Sequence, residues 1–264
     1  MARRRRTRKN SLDKHLKRLL AAGAVALLAV GVLLFVGRHR FFHPDVVIDS
    51  VHYPVVGIDV SNHNGKIDFG KVKDDGVSFV FLKASEGRSY VDPRFRKNYL
   101  KARKSGLVVG AYHFFRKKTD GELQARNFMG AVAGLRIDLP LVVDVEDWGN
   151  DGFVKNEQTV EELLAMVKCL KRNGHTVMIY TNGDGYKNYI SGHLDDEYLW
   201  LCSFKSPERL RSRYAHKIQQ YSHWGTVEGV NGEVDLNVFN GSRDEWNKWL
   251  AELGESKGAW KSGK

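Results

Sequence analysis

The stretch Leu139-Pro140-Leu141-Val142-Val143-Asp144-Val145-Glu146-Asp147 constrains the fold more than any other part of the chain. An apolar run of this length, opened by proline, reads as a buried strand. Side chains alternate faces along a strand, so Asp144 and Glu146 share a side, with β-carbons roughly 7 Å apart. Two acids at the end of a buried strand are costly to ionise together, and one pKa must rise. A carboxylic acid beside a carboxylate is the arrangement that cleaves glycosidic bonds. A lone D-x-E is also what a capping acid next to a surface ion pair looks like, so the pair alone does not assign a chemistry.

The rest of the chain supplies the context. Strand patterns recur at Val55–Val60, Val77–Lys83, Leu107–Phe114, His175–Thr181, Tyr198–Cys202, Lys217–Tyr221 and Val234–Phe239. Helices are expected from Asp92-Pro93 to Ser105, from Asp120 to Val132, from Glu157 to Asn173 and from Arg243 to Leu253. The last opens with a Ser242/Glu245 capping box. Eight strand signals with helices between most of them indicate an α/β fold, a modified TIM-like (β/α) barrel with helices reduced in its second half. Chemistry in such barrels sits at the C-terminal strand ends. Those ends carry Asp59, Ser61, Asn62 and His63, then Lys83 and Glu86, then Tyr112 and His113. Asp144 and Glu146, Tyr180 and Asn182, Trp200, and Gln220 follow. Acids, amides and aromatics converging on one mouth suit a sugar, because rings stack on its faces and amides and acids bond its hydroxyls. Asp235 fits poorly, since it starts its strand instead of ending it.

The charge of +11 is unevenly placed. Eleven of the 42 Lys and Arg, and one of the 31 Asp and Glu, lie in residues 1–40. The body is near neutral, so the basic pI describes a tail and no nucleic-acid partner is expected. Leu19 to Val36 holds no charge over 18 residues, near the lower limit for a membrane span. A basic segment precedes it and no small-x-small cleavage site follows, so a retained signal anchor is expected. The charge bias places the N-terminus in the cytoplasm and the body beyond the cytoplasmic membrane, periplasmic or extracellular. The expected organisation is a basic tail 1–18, a transmembrane anchor 19–36 in contact with lipid, and a linker 37–54. A barrel 55–253 and a frayed tail 254–264 follow, acting as a monomer. Cys169 and Cys202 lack any C-x-x-C or zinc spacing and read as small buried hydrophobes.

On these residues the chain resembles the glycoside hydrolase family 25 lysozymes, muramidases of Chalaropsis and phage-endolysin type. The segments are Gly57-Ile58-Asp59-Val60-Ser61 and Phe79-Val80-Phe81-Leu82-Lys83-Ala84-Ser85-Glu86-Gly87. They continue with Gly106-Leu107-x-Val109-Gly110-Ala111-Tyr112-His113-Phe114, Leu139 to Glu146, Ile179-Tyr180-Thr181-Asn182, Leu199-Trp200, Gln219-Gln220-Tyr221 and Val234-Asp235-Leu236-Asn237. They run in family order; Asn64 and Phe69 depart from the family's usual Gln and Trp. The resemblance implies a four-carboxylate site of Asp59, Asp144, Glu146 and Asp235. It implies that either the boundaries of the last strands or their direction differ from the simple reading. It further implies hydrolysis of the β-1,4 bond between N-acetylmuramic acid and N-acetylglucosamine in peptidoglycan glycan strands, without a cofactor. Glu146 is expected as general acid, its pKa raised in part by Asp144. Asp144 either stabilises oxocarbenium-like charge or orients the substrate acetamido group. Asp59 and Asp235 hold sugar and water. Tyr112, Tyr180, Trp148 and Trp200 stack on or border the glycan, with Asn182 and Gln220 as further contacts. Two rivals remain: a metal-dependent wall hydrolase using His63, His113 and the acids, although no H-x-x-x-H spacing exists, and a non-catalytic wall-binding module on a membrane anchor.

Overall fold

The computed structural model describes residues 22–27, 30–31, 46–150 and 154–262. The chain divides into two units, residues 1–45 and residues 46–264. In the first unit residues 22–27 and 30–31 are helical. Among the described residues no helix is long and apolar enough to cross a membrane. Most of the expected 19–36 anchor, and all of the basic tail 1–18, lie outside the described residues.

The second unit is an eight-stranded barrel. Its strands are β1 (Val56–Val60), β2 (Phe79–Glu86), β4 (Val108–Phe114), β5 (Leu141–Asp144), β6 (Val177–Asn182), β7 (Tyr198–Cys202), β8 (His216–Gly225) and β9 (Val234–Phe239). A two-residue β3 (Tyr90–Val91) folds back on β2. The order β1-β9-β8-β7-β6-β5-β4-β2 is closed by β1 pairing with β2. Every pair from β1–β2 through β7–β8 is parallel, whereas β9 runs antiparallel to both β8 and β1. The reversed β9 resolves the misfit of Asp235. The start of β9 lies at the mouth formed by the C-terminal ends of the others, and Asp235 pairs directly with Asp59.

The helices thin out as the barrel proceeds. α1 (Phe69–Asp74), α2 (Phe95–Lys104), α3 (Gly121–Val132) and α4 (Asn156–Arg172) cover the first half. Between the strands of the second half stand only a short turn running into a π-helix at Tyr186–Ile190, and α5 (Pro207–Arg211). α1 was not expected; Asp68 caps it by accepting from Gly70 and Lys71 amides. Asp92 is not the N-cap of α2, which starts at Phe95 after Arg94. Its carboxylate instead takes the amide of Arg94 at 2.8 Å and the amide of Asn62, beyond β1, at 2.8 Å. α6 (Arg243–Ser262) opens with the expected capping box, Glu245 N–H to Ser242 Oγ and Ser242 N–H to Glu245 Oε2. It runs through the segment expected to fray.

Strand alternation sorts the core into two compartments. Outward residues such as Ile58, Val80, Val109, Val143 and Ile179 pack beneath the helices. Inward residues form an aromatic plug of Phe79, Phe81, Tyr180, Trp200 and Phe239, joined by Trp246 and Trp249 of α6. Phe81 stacks on Trp200 at 4.4 Å, and Phe239 on Trp249 at 5.6 Å. Two inward glycines admit the rings. A β-carbon on Gly57 would sit 2.3 Å from the Phe79 ring, and one on Gly110 2.2 Å from Phe81. The plug fills the barrel's lower part, so the polar inward positions are gathered at the mouth.

Candidate active site

Asp59 is a buried carboxylate of the mouth. It is 8% exposed, and its Oδ2 accepts from Gln220 Nε2 at 2.9 Å and from Asn237 Nδ2 at 2.8 Å. Both amides are themselves oriented. The Tyr180 hydroxyl donates to Gln220 Oε1 at 2.7 Å, and the Trp200 indole N–H donates to Asn237 Oδ1 at 2.8 Å. Each amide therefore has its NH₂ turned to the same carboxylate oxygen. Burial, then the charge of Asp235, pushes the Asp59 pKa well above the usual carboxylate range, and the two amides pull the other way.

Asp144 ends β5 and is buried, with an Oδ1 that has no hydrogen-bond partner among the described residues. Burial, then the charge of Glu146, raises its pKa strongly. Glu146 lies just past the strand, but the backbone keeps its extended pairing: the Val145 amide donates to Tyr180 O at 3.0 Å. Val145 is buried on the outer face, so Asp144 and Glu146 turn inward as alternation requires. Burial raises Glu146 to about 7; Asp235 and Asp147 add to this, and His223 and Lys83 oppose it. The two carboxyls repel each other when both are ionised, so the pair holds its last proton tightly.

The loop after β5 is anchored. Asp147 accepts from the Tyr189 hydroxyl at 2.6 Å and pairs with Lys117, and Asn150 Nδ2 donates to Glu146 O at 2.9 Å. Trp148 stands on this loop 80% exposed, a face free for a sugar. Tyr112 is half-buried on β4, and the charges of Asp59, Asp144 and Asp235 all act on its hydroxyl.

Other expected contacts are placed differently. Trp200 is 2% exposed, with one face on Phe81 and Tyr180 against it edge-on, so it holds Asn237 and offers no face to a sugar. Tyr180 and Gln220 are likewise buried beneath Asp59. Asn182 Oδ1 is committed to the amides of Asp184 and Gly185 in the turn after β6. His113 faces away from the mouth, bonded to Ser85 and Gln124, and its burial lowers its pKa to about 4. Among the described residues no three His, Cys, Asp or Glu side chains are grouped to hold a metal.

Two mouth residues, His223 and Cys202, escaped the sequence reading, which did place a third, Lys83, at a strand end. His223 Nδ1 lies 2.8 Å from Asp235 Oδ1, and its Nε2 lies 3.9 Å from Cys202 Sγ. The bond to Asp235, then that to Cys202, raises its pKa to about 10, so it is an imidazolium. Alternation from Gln220 points Ser222 inward; a bulge between Gln220 and Ser222 reverses the parity and brings in His223. Cys202 is half-buried at the mouth and is not the core hydrophobe expected, whereas Cys169 is buried; both are free thiols. Lys83, paired with Glu86 at 2.6 Å, is the second cation acting on Asp144 and Glu146.

A parallel-strand barrel with a reversed last strand, and four acids at one mouth with a carboxyl near 7 among them, is the architecture of a glycoside hydrolase. Residues 58–230 match the sequence model of "Glycosyl hydrolases family 25". Lysozyme M1 of Streptomyces globisporus is 34% identical over 203 residues, 71% of this chain and 68% of that protein. The uncharacterized protein YegX of Escherichia coli O6:H1 is 35% identical over 209 residues, 77% of this chain and 76% of that one. A family 25 glycosyl hydrolase from Bacillus anthracis superimposes with a TM-score of 0.69 at 33% identity, covering 76% of this chain and 95% of that one. The chain belongs to glycosyl hydrolase family 25.

Proposed function

We propose that the protein is a lysozyme-type N-acetylmuramidase that hydrolyses the β-1,4 bond following N-acetylmuramic acid in peptidoglycan. The observation that carries this reading is Glu146, a carboxyl held near 7 at the mouth, beside the buried Asp144 with its unpartnered oxygen. Glu146 protonates the leaving glycosidic oxygen, and a pKa near the working pH suits an acid that must also be reloaded. The free Oδ1 of Asp144 accepts the acetamido N–H of the bound sugar. That bond orients the acetamido oxygen toward the anomeric carbon, and the negative charge supports the oxocarbenium-like transition state. Asp59, locked by its two amides, and Asp235, paired with His223, hold sugar hydroxyls and the attacking water. Trp148 borders the glycan on the open side. The names of relatives such as Lysozyme M1 agree with this substrate.

The uncharged run 19–36, flanked by its basic tail, supports tethering to the cytoplasmic membrane with the barrel on the wall side. The test is digestion of purified peptidoglycan by the full chain, with end-group analysis. New reducing ends at N-acetylmuramic acid are expected. Binding to the wall without release of reducing ends would leave the binding-module reading in its place. Alkaline phosphatase fused after Val36 is expected to be active; an inactive fusion refutes the orientation.

A further inference from the structure

A second cavity opens at the same end of the barrel. It has a volume of about 480 Å³ and lies behind the mouth, where the second half of the barrel lacks a full helix. Its apolar wall is Leu201, Leu210 and Tyr214, and its rim carries Lys205, Arg209 and Arg213 with one acid, Asp184. The three cations are exposed, and none forms an ion pair among the described residues; Arg213 rests on the Tyr214 ring at 5.5 Å. The body is otherwise near neutral, so three unpaired cations around one cavity are a local concentration of charge.

The position links this cavity to the site. Leu201 and Ser203 line it from the outer face of the β7 end, and Cys202 between them faces the carboxylates. The two spaces lie back to back across one strand. A muramic acid seated over Asp144 carries a peptide stem that can reach across β7 to this rim, at about 3.3–3.6 Å of reach per residue.

We propose that this cavity binds the peptide stem of the substrate, with Lys205, Arg209 and Arg213 taking its free carboxylates. The inference rests on the muramidase reading of the neighbouring mouth. The mixed lining favours a stem over a phosphate polymer. Leu201, Leu210 and Tyr214 suit an amino-acid alkyl chain, and Asp184 suits the amine of a diamino acid, neither of which a phosphate polymer supplies.

The test compares the full chain with K205A/R209A/R213A on two substrates, intact peptidoglycan and glycan stripped of its stems by an amidase. Exposed ion pairs of this kind sum to about a tenfold effect. KM on intact wall is expected to rise about tenfold in the variant with kcat unchanged, and the two proteins should act alike on stripped glycan. Identical KM on intact wall, or an equal loss on both substrates, overturns the proposal. So does a wild-type advantage that persists on stem-free wall retaining its phosphate polymers. Binding of the free tetrapeptide stem, followed by NMR, separates this inference from the reading beneath it. Saturable shifts around the cavity at roughly millimolar peptide, lost in the variant, support it even if neither protein turns over wall. No shift in the wild type overturns it.

Discussion

Glu146→Gln is expected to stabilise the protein above neutral pH while removing its activity. In the folded chain Glu146 titrates near 7, against an ordinary value of 4.5. The raised value means that the folded state binds the proton more tightly than the unfolded one. Below pH 4.5 both states are protonated and the group costs nothing. From pH 4.5 to 7 the unfolded chain ionises first, and stability falls as pH rises. Above 7 the penalty is complete. The gap of about 2.5 units at about 1.36 kcal/mol each sets an upper figure of ~3 kcal/mol, and the partial exposure of Glu146 brings the expectation to about 2–3 kcal/mol. Gln fills the same space without charge and escapes the penalty. For a domain of this size that is a rise in Tm of roughly 4–10 °C at pH 8.5, shrinking to under ~1 kcal/mol at pH 5. The window stays below the pKa of His223, so the imidazolium is present throughout. Urea unfolding of both proteins across pH 5–8.5 measures it. A variant equally stable at both ends of that range, or less stable at pH 8.5, refutes the argument that burial strains this carboxyl.

Two further variants probe the mouth. His223 lowers the pKa of Glu146, so His223→Gln should move the basic limb of the pH–kcat/KM profile upward by a few tenths of a unit to about one unit; a limb that stays put or moves down removes His223 from the electrostatics. Trp200→Phe deletes the donor to Asn237 Oδ1 and leaves a buried amide oxygen unpaired, at a cost of about 1–3 kcal/mol besides lost volume. A double-mutant cycle with Asn237→Leu should show coupling of about 1 kcal/mol or more, and additive effects would break the relay to Asp59.

The period-two alternation that makes Asp144 and Glu146 neighbours survives past the end of β5, because Val145 keeps its backbone bond to Tyr180. That made the acid pair legible in the sequence. The barrel was legible for a similar reason, since buried strands and amphipathic helices alternate through its first half. Where alternation is interrupted, the reading failed. The bulge in β8 hides His223, and the antiparallel β9 makes Asp235 look misplaced until the pairing with β1 is seen. Trp200 shows a different limit. An aromatic at a strand end carries the same signal whether it faces a sugar or a Phe81 ring from across the barrel. The stack with Phe81 forms between residues 119 positions apart, and nothing local announces it. Cys202 follows the same logic: its strand is apolar, but its side chain lies on the inner face above the plug.

The central claim is that a protonated Glu146 at this mouth cleaves peptidoglycan. The direct measurement is the pH dependence of kcat/KM for release of reducing ends, for the wild type and Glu146→Gln. The account predicts wild-type activity that falls as pH rises through about 7, and a variant slowed by roughly 10²–10⁴-fold. Wild-type activity flat through neutral pH, or a Glu146→Gln protein that digests wall at the wild-type rate, would contradict it.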